Sequence, residues 1–329
     1  MKSLKNFAPI LLACALCAGP ALNAESVCSS APKNFPMERF AKGGIYHNLA
    51  VNCGVPYKVA DDEVLRFDIS YPTSKAPKGG FPLIVYFHGG AWQGGERYGG
   101  YGFFNDEIRR YNSAGIAVAT VSYRFARWSN PRRAMDVCVI DTMDALRYMT
   151  KHCRELKINP DKIGVYGHSA GGHLTFMAAL ADQSKFLGDS DLQGVKYKIA
   201  CAVPQSGPTS FVDDPEFGFE AVKSNAGANL MRVPLGGDFS DEGFRRFVSP
   251  AQYANKDAPK MLILHGDKDT IVPVESAIYM DKKLKAAGAK DVSLVISKNA
   301  RHSFEDAKDP DNDSLAEIRQ KFFIDSLAL

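Results

Sequence analysis

The sequence predicts an α/β fold, a doubly wound and mostly parallel sheet flanked by helices. Three observations lead there. Short unbroken apolar runs, such as 82–87 (PLIVYF) and 261–264 (MLIL), have the length and composition of strands covered on both faces. Other segments, such as 134–150, carry apolar residues at the spacing of one helix face. The two kinds alternate from about residue 62 onward, as strands joined by helical crossovers do.

Residues 63–71 alternate polar and apolar, the pattern of a half-buried strand. Runs 82–87 and 116–122 are continuous and apolar. In 134–150 the positions Met135, Val139, Met143, Leu146 and Met149 line one helix face. A strand is expected at 163–166 and a helix at 173–181, then strands at 199–203 and 261–264. A helix over 274–287 stops at Gly288, a residue suited to a left-handed helix end. A strand at 292–297 and a closing helix at 314–327 complete the pattern, the latter with Leu315, Ile318, Phe322 and Ile324 among its apolar positions. The longest stretch without strand character is 206–238.

The first residues read differently from the rest. Met1 to Phe7 contains Lys2 and Lys5 and no acid, residues 8–18 are apolar, and small residues follow up to Ala24. This is the pattern of a secretory signal peptide, with an apolar core too short to span a membrane. The expected organisation is therefore a leader at 1–24 and one α/β domain at 25–329, secreted or periplasmic. Leu11-Leu12-Ala13-Cys14 loosely resembles a lipoprotein box, which gives an anchored alternative through Cys14.

Composition narrows the partners. The formal charge of +3 becomes +1 once Lys2 and Lys5 leave with the leader, and no basic run is present. Nucleic acid is excluded as a partner on that ground. Of the seven cysteines, Cys14 and Cys17 fall in the leader. Cys28 and Cys53 form the expected disulfide, since both lie in the N-terminal segment read as irregular and export permits oxidation. Cys138 and Cys153 sit about four turns apart on one expected helix, too far to bridge. Cys201 reads as a buried core thiol. No cysteine pair has zinc-finger spacing, and neither His-Glu-x-x-His nor a carboxylate cluster with ligand spacing occurs, so no metal site is assigned.

In a doubly wound sheet, ligands sit beyond the carboxyl ends of the strands. Four such loops here carry chemistry. His88-Gly89-Gly90-Ala91-Trp92 follows the strand at 82–87, and Gly167-His168-Ser169-Ala170-Gly171 follows the strand ending at Tyr166. His265-Gly266-Asp267-Lys268-Asp269 follows 261–264, and a loop ending in His302 follows 292–297. A serine hydroxyl needs an adjacent base to act as a nucleophile, and an imidazole titrates in the right range. The imidazole in turn needs a carboxylate to fix its tautomer. Read without its neighbours, Ser169 could instead be an ordinary helix cap.

These motifs resemble the α/β-hydrolase fold over about residues 62–327. Within it, the chain is similar to esterases with an HGG-type oxyanion loop, namely the hormone-sensitive-lipase-like carboxylesterases and the bacterial acetyl xylan and feruloyl esterases. The resemblance rests on the four loops together with Tyr123-Arg124, Asp161-Lys162-Ile163, Gly172, Val272-Pro273 and His302. It implies Ser169 as nucleophile, His302 as base and Asp269 as acid. It also implies backbone donors to an oxyanion at Gly90, Ala91 and Ala170, and no cofactor. Ala91 departs from the lipase-like pattern, which has a third glycine there; a backbone N–H survives that change. Asp267 competes with Asp269 in the same loop. His88 and His265 read as structural, His168 as a packed neighbour of the serine and His173 as a helix-face residue. His47 and His152 read as solvent-exposed.

The substrate is less constrained. Trp92 either walls the site or packs under its loop. Phe211, Phe217 and Phe219, in the 206–238 stretch, either stack on sugar or aryl rings or anchor that stretch to the core. The expected substrate is a small or polymeric ester, with acetyl or feruloyl esters of plant polysaccharide first and simple short-chain esters second. A prolyl-oligopeptidase-like peptidase lacks its propeller domain here. A non-catalytic binding protein on this fold is disfavoured by the intact Ser169, Asp269 and His302.

Overall fold

The computed structural model describes residues 50–97, 104–127, 129–130, 134–214, 216–217, 228–236, 240–302 and 310–327. The expected leader at 1–24, Cys14, Cys28, His47 and Phe219 lie outside the described residues. So the Cys28–Cys53 pairing is not described either.

Eight strands form one sheet among the described residues, in the order β1-β2-β4-β3-β5-β6-β7-β8. They are β1 (Ala50–Ala60), β2 (Glu63–Tyr71), β3 (Phe81–Phe87), β4 (Ala117–Val121), β5 (Ile158–His168), β6 (Cys201–Gln205), β7 (Lys260–Gly266) and β8 (Val292–Ser297). β1 and β2 are antiparallel to their neighbours, and β3 through β8 run parallel. The main helices are α1 (Phe104–Ser113), α2 (Met135–Lys151), α3 (Ala170–Leu180), α4 (Ala228–Arg232), α5 (Glu242–Phe247), α6 (Glu275–Ala286) and α7 (Pro310–Leu327). None of the helices among the described residues is long and apolar enough to cross a membrane.

The sheet is covered on both faces, which explains its unbroken apolar strands. Every residue of β3 is buried. Leu83, Val85 and Phe87 join the core under α2, α3 and α6, while Ile84 and Tyr86 join the one under α1 and α7. This is the two-residue alternation of a strand expressed in two separate cores. β8 stands at the sheet edge, and of its residues only Ser297 is buried.

Four of these elements, β1, α1, α4 and α5, were not anticipated. β1 occupies part of the N-terminal segment that reads as irregular. Gly54 and Pro56 break its pattern, and register shifts fall at Asn52/Val55 and Pro56/Lys58. An edge strand tolerates both residues because one row of its backbone groups needs no partner. α1 is polar in sequence and packs through Ile108 and Tyr111, both fully buried.

α2 buries the five apolar positions expected of it, and also Asp141, Asp144 and Arg147. Lys58 on β1 reaches Asp141 and Asp144, each at 2.7 Å. Arg124 grips Asp141 through Nε and Nη2 at 2.8 and 2.9 Å, and Arg147 meets Asp144 at 2.7 Å. The charges are thus paired and hydrogen-bonded, the condition for burying them. Cys138 and Cys201 are fully buried, and burial pushes the Cys201 thiol up to about 12.

Candidate active site

The parallel strands place their carboxyl ends at one edge, and the four loops meet there. β5 ends at His168, and α3 begins at Ala170, so Ser169 alone makes the turn. Its backbone is at φ 59° and ψ −120°, a left-handed conformation for a residue with a Cβ. Such strain costs on the order of 1–3 kcal/mol and persists only when its surroundings enforce it. Here they do. Ser169 N–H donates to Gln205 O at 2.9 Å, and Ser169 O accepts from His173 N–H at 3.0 Å. Gly167 and Gly171 permit the close approach. A Cβ on Gly171 would lie 2.0 Å from Phe87 O, and one on Gly167 would lie 2.3 Å from Gly171 O.

Ser169 makes no side-chain cap bond to its helix. Its Oγ instead lies 2.9 Å from Nε2 of His302. Nδ1 of His302 lies 2.7 Å from Oδ2 of Asp269, so the ring donates there and offers its Nε2 lone pair to the serine. Of the two acids in the β7 loop it is therefore Asp269 that meets the imidazole. Asp267 holds the loop, with its N–H on Ser297 O at 3.0 Å. Oδ1 of Asp269 accepts the N–H groups of Ile271 and Val272, both at 2.9 Å. Burial alone would raise the Asp269 pKa. Hydrogen bonds from His265 and His302 outweigh it and hold the carboxyl well below the usual carboxylate range. The His302 side chain keeps 19% of its surface exposed, whereas that of Asp269 has none. The imidazole thus faces the solvent side, and the carboxylate is sealed behind it.

The loop after β3 stands against the serine. A Cβ on Gly89 would lie 3.4 Å from the Ser169 Cβ. Gly90 has φ 118°, and Ala91 and Trp92 have φ 52° and 58°. The turn is closed by bonds from Gln93 N–H and Gly94 N–H to Gly90 O at 3.0 and 3.1 Å. The N–H groups of Gly90, Ala91 and Ala170 take part in none of the backbone bonds that fix this loop and the Ser169 turn. They are the kind of preorganised donors that stabilise a developing anion.

The remaining histidines hold this framework. His88 donates from Nδ1 to Gly89 O at 2.7 Å and stacks on Tyr123, whose hydroxyl donates to His88 O at 2.7 Å. His173 accepts Trp92 Nε1–H at 3.1 Å and donates to Val248 O at 2.8 Å. Burial lowers the pKa of both His88 and His173 to about 4, so both are neutral imidazoles at pH 7. His152 is half-buried against Tyr148 rather than simply exposed.

The aromatic expectations need correction. Trp92 is 2% exposed and Phe211 is fully buried. They pack edge-on to each other at 6.1 Å, and both pack on His173. Phe217 is buried as well and stacks on Tyr279 at 5.0 Å. These rings anchor the loops to the core, because large apolar surface gains more from burial than from exposure beside a polar site.

Two contacts were missed in the sequence. Nε2 of His265 lies 3.3 Å from Asp269 Oδ2 and 2.8 Å from Val272 O, a second imidazole behind the acid. Nε2 of His168 lies 2.7 Å from His302 O. The place of His168 beside the serine was visible, but its partner lies 134 residues along the chain, whereas His265 and Asp269 are only four residues apart and are brought together by the fold of the β7 loop.

The chain is 26% identical over 259 residues to esterase LipQ of Mycobacterium tuberculosis, covering 76% of this chain and 56% of that protein. It is 27% identical over 257 residues to esterase LipC of the same organism, covering 74% of this chain and 58% of that protein. The chain thus spans little more than half the length of these relatives. Among solved structures, propionate-bound esterase 2 of Thermogutta terrifontis superposes with a TM-score of 0.66 at 24% identity, over 86% of this chain and 94% of that one. That likeness establishes a shared α/β-hydrolase fold. The BD-FAE family model matches residues 67–284, which takes in the loops bearing Gly90, Ser169 and Asp269, and this chain belongs to the BD-FAE family.

Proposed function

We propose that the protein is a carboxylic ester hydrolase working through an acyl-enzyme on Ser169. One observation carries the reading. A hydroxyl on a strained strand-to-helix turn lies 2.9 Å from an imidazole whose other nitrogen lies 2.7 Å from a buried carboxylate. In this mechanism His302 takes the Ser169 proton as Oγ attacks the ester carbonyl. The tetrahedral oxyanion is received by the N–H groups of Gly90, Ala91 and Ala170, each worth about 10²–10³ in rate. His302 then protonates the leaving alcohol, and water repeats the sequence to release the acid. The names of the relatives, LipQ and LipC esterases, agree with this chemistry.

For substrate, we propose acetyl or feruloyl esters of plant polysaccharide, met outside the cell or in the periplasm. The leader pattern at 1–24 and the sequence resemblance to acetyl xylan and feruloyl esterases support this. A second reading, a general short-chain carboxylesterase, is favoured by the burial of Trp92 and Phe211, which leaves neither ring free to stack on a sugar. The test is kcat/KM on acetylated xylan, methyl ferulate and aryl esters of graded chain length. Release of acetate or ferulate from the polymer at rates matching the aryl esters supports the first reading. Fast aryl ester cleavage with no release from xylan leaves the second. No hydrolysis of any ester overturns both.

A further inference from the structure

We propose that His168 is the positioning residue that ties the base to the nucleophile. This rests on the serine-esterase reading above. His168 is the last residue of β5 and the chain neighbour of Ser169. Its Nε2–H donates to the backbone carbonyl of His302 at 2.7 Å, and its ring lies 4.8 Å from the His302 ring at 48°. Its Nδ1 edge faces the loop after β3, where a Cβ on Gly89 would lie 3.7 Å from it. One side chain therefore touches the base and lies against the anion-binding loop, one residue from the serine.

The topology explains why such a tie is needed. His302 follows β8, which is separated from β5 by β6 and β7. Three strand spacings amount to about 14 Å, so the base reaches the serine from across the sheet. Its loop is fastened to the β7 loop by Asp267 N–H on Ser297 O and by Lys268 N–H on Ala300 O, at 3.0 and 2.9 Å. Those bonds fix the base relative to the acid. The bond from His168 instead fixes the His302 main chain to the residue preceding the nucleophile. The Oγ–Nε2 separation is thereby set within a short local circuit and not through the whole sheet.

Displacing a reacting group by about 1 Å costs about 10²-fold in rate. His168→Ala is therefore expected to lower kcat about 10- to 100-fold with KM within about threefold. His168→Phe keeps a ring but no donor and should fall as far. His168→Gln offers an amide N–H near the Nε2 position and should recover to within about fivefold of wild type. The downfield Nδ1 proton resonance of His302 should broaden or vanish in the Ala and Phe variants and return in Gln. Wild-type kcat in His168→Ala or His168→Phe overturns the proposal, and so does a Gln variant no better than Phe. If the Ala variant fails to fold, the Phe and Gln comparison still decides. Ser169→Ala in the same assay separates the two levels. Full activity there overturns the esterase reading itself, whereas an inactive Ser169→Ala beside a fully active His168→Phe overturns only the role of His168.

Discussion

Replacing Asp269 by asparagine tests the site with almost no change of shape. The carboxylate accepts two backbone N–H groups at Oδ1, both at 2.9 Å, and at Oδ2 the N–H of His302 at 2.7 Å with that of His265 at 3.3 Å. All four approaching groups are donors. An amide has one accepting oxygen and one donating nitrogen, so one side of it must face donors. With the nitrogen at Oδ1 it would meet two backbone N–H groups that cannot give up their protons, at about 1–3 kcal/mol for each unpaired buried donor. With the nitrogen at Oδ2, His302 can relieve the clash by moving its proton to Nε2. That tautomer presents N–H to Ser169 and no longer has a lone pair for its proton. The second arrangement costs less, so the fold should hold while the base is lost. The expected fall in kcat is about 10⁴-fold, or about 5.5 kcal/mol of barrier. The assay is initial rates of aryl acetate hydrolysis at pH 7.5 over a range of concentrations, with thermal unfolding as the control. Asp267→Asn should stay within about threefold of wild type. An Asp269→Asn variant that is folded and within tenfold of wild type would refute the tautomer argument.

Other outcomes follow from the same contacts. His88 and His173 are held near 4 by burial, against about 6.5 for a free imidazole, so the unfolded chain binds more protons between those values. Stability should fall as pH drops from about 6.5 to about 4, with a slope of about 2.4 kcal/mol per pH unit from these two rings near pH 5. Urea unfolding at pH 6.5, 5.5 and 5.0 measures it, and unchanged stability across that range would contradict the assignment of both rings as neutral. Ala91→Gly keeps the backbone N–H at φ 52° and should leave kcat on acetyl esters within about threefold; a hundredfold loss would mean that the Ala91 side chain itself contributes to the rate. Lys58→Met removes the ammonium between Asp141 and Asp144 and should cost about 3–5 kcal/mol in chemical denaturation with kcat unchanged at 25 °C. A loss below 1 kcal/mol would show that Arg124 and Arg147 alone satisfy those carboxylates.

The parts legible in the sequence are those where local pattern and structure share a cause. β3 could be read because burial on both faces demands PLIVYF, and α2 because one stripe of methionine, valine and leucine faces the core. The order of the loops at Gly90, Ser169, Asp269 and His302 was readable because each follows a strand that packing already defines. β1 was not, since its pairing with β2 depends on partners across a turn while Gly54 and Pro56 obscure its own alternation. Nor were the buried Asp141 and Asp144, because a carboxylate on a helix face reads as solvated until Lys58, Arg124 and Arg147 are brought to it. Trp92 and Phe211 could be read as either platform or anchor, and only their packing on His173 decides. His168 and His265 act on residues 134 and 4 positions away, and neither contact leaves a local signal.

Covalent trapping asks whether Ser169 carries the acyl group. The protein is treated with an aryl phosphonate, the remaining hydrolysis of an aryl ester is followed, and the adduct is located by peptide mass spectrometry. One adduct per chain is expected, on Ser169, formed in step with loss of activity, absent from Ser169→Ala and much slowed in His302→Ala. Inactivation with the label elsewhere, or an active Ser169→Ala enzyme, would contradict this expectation.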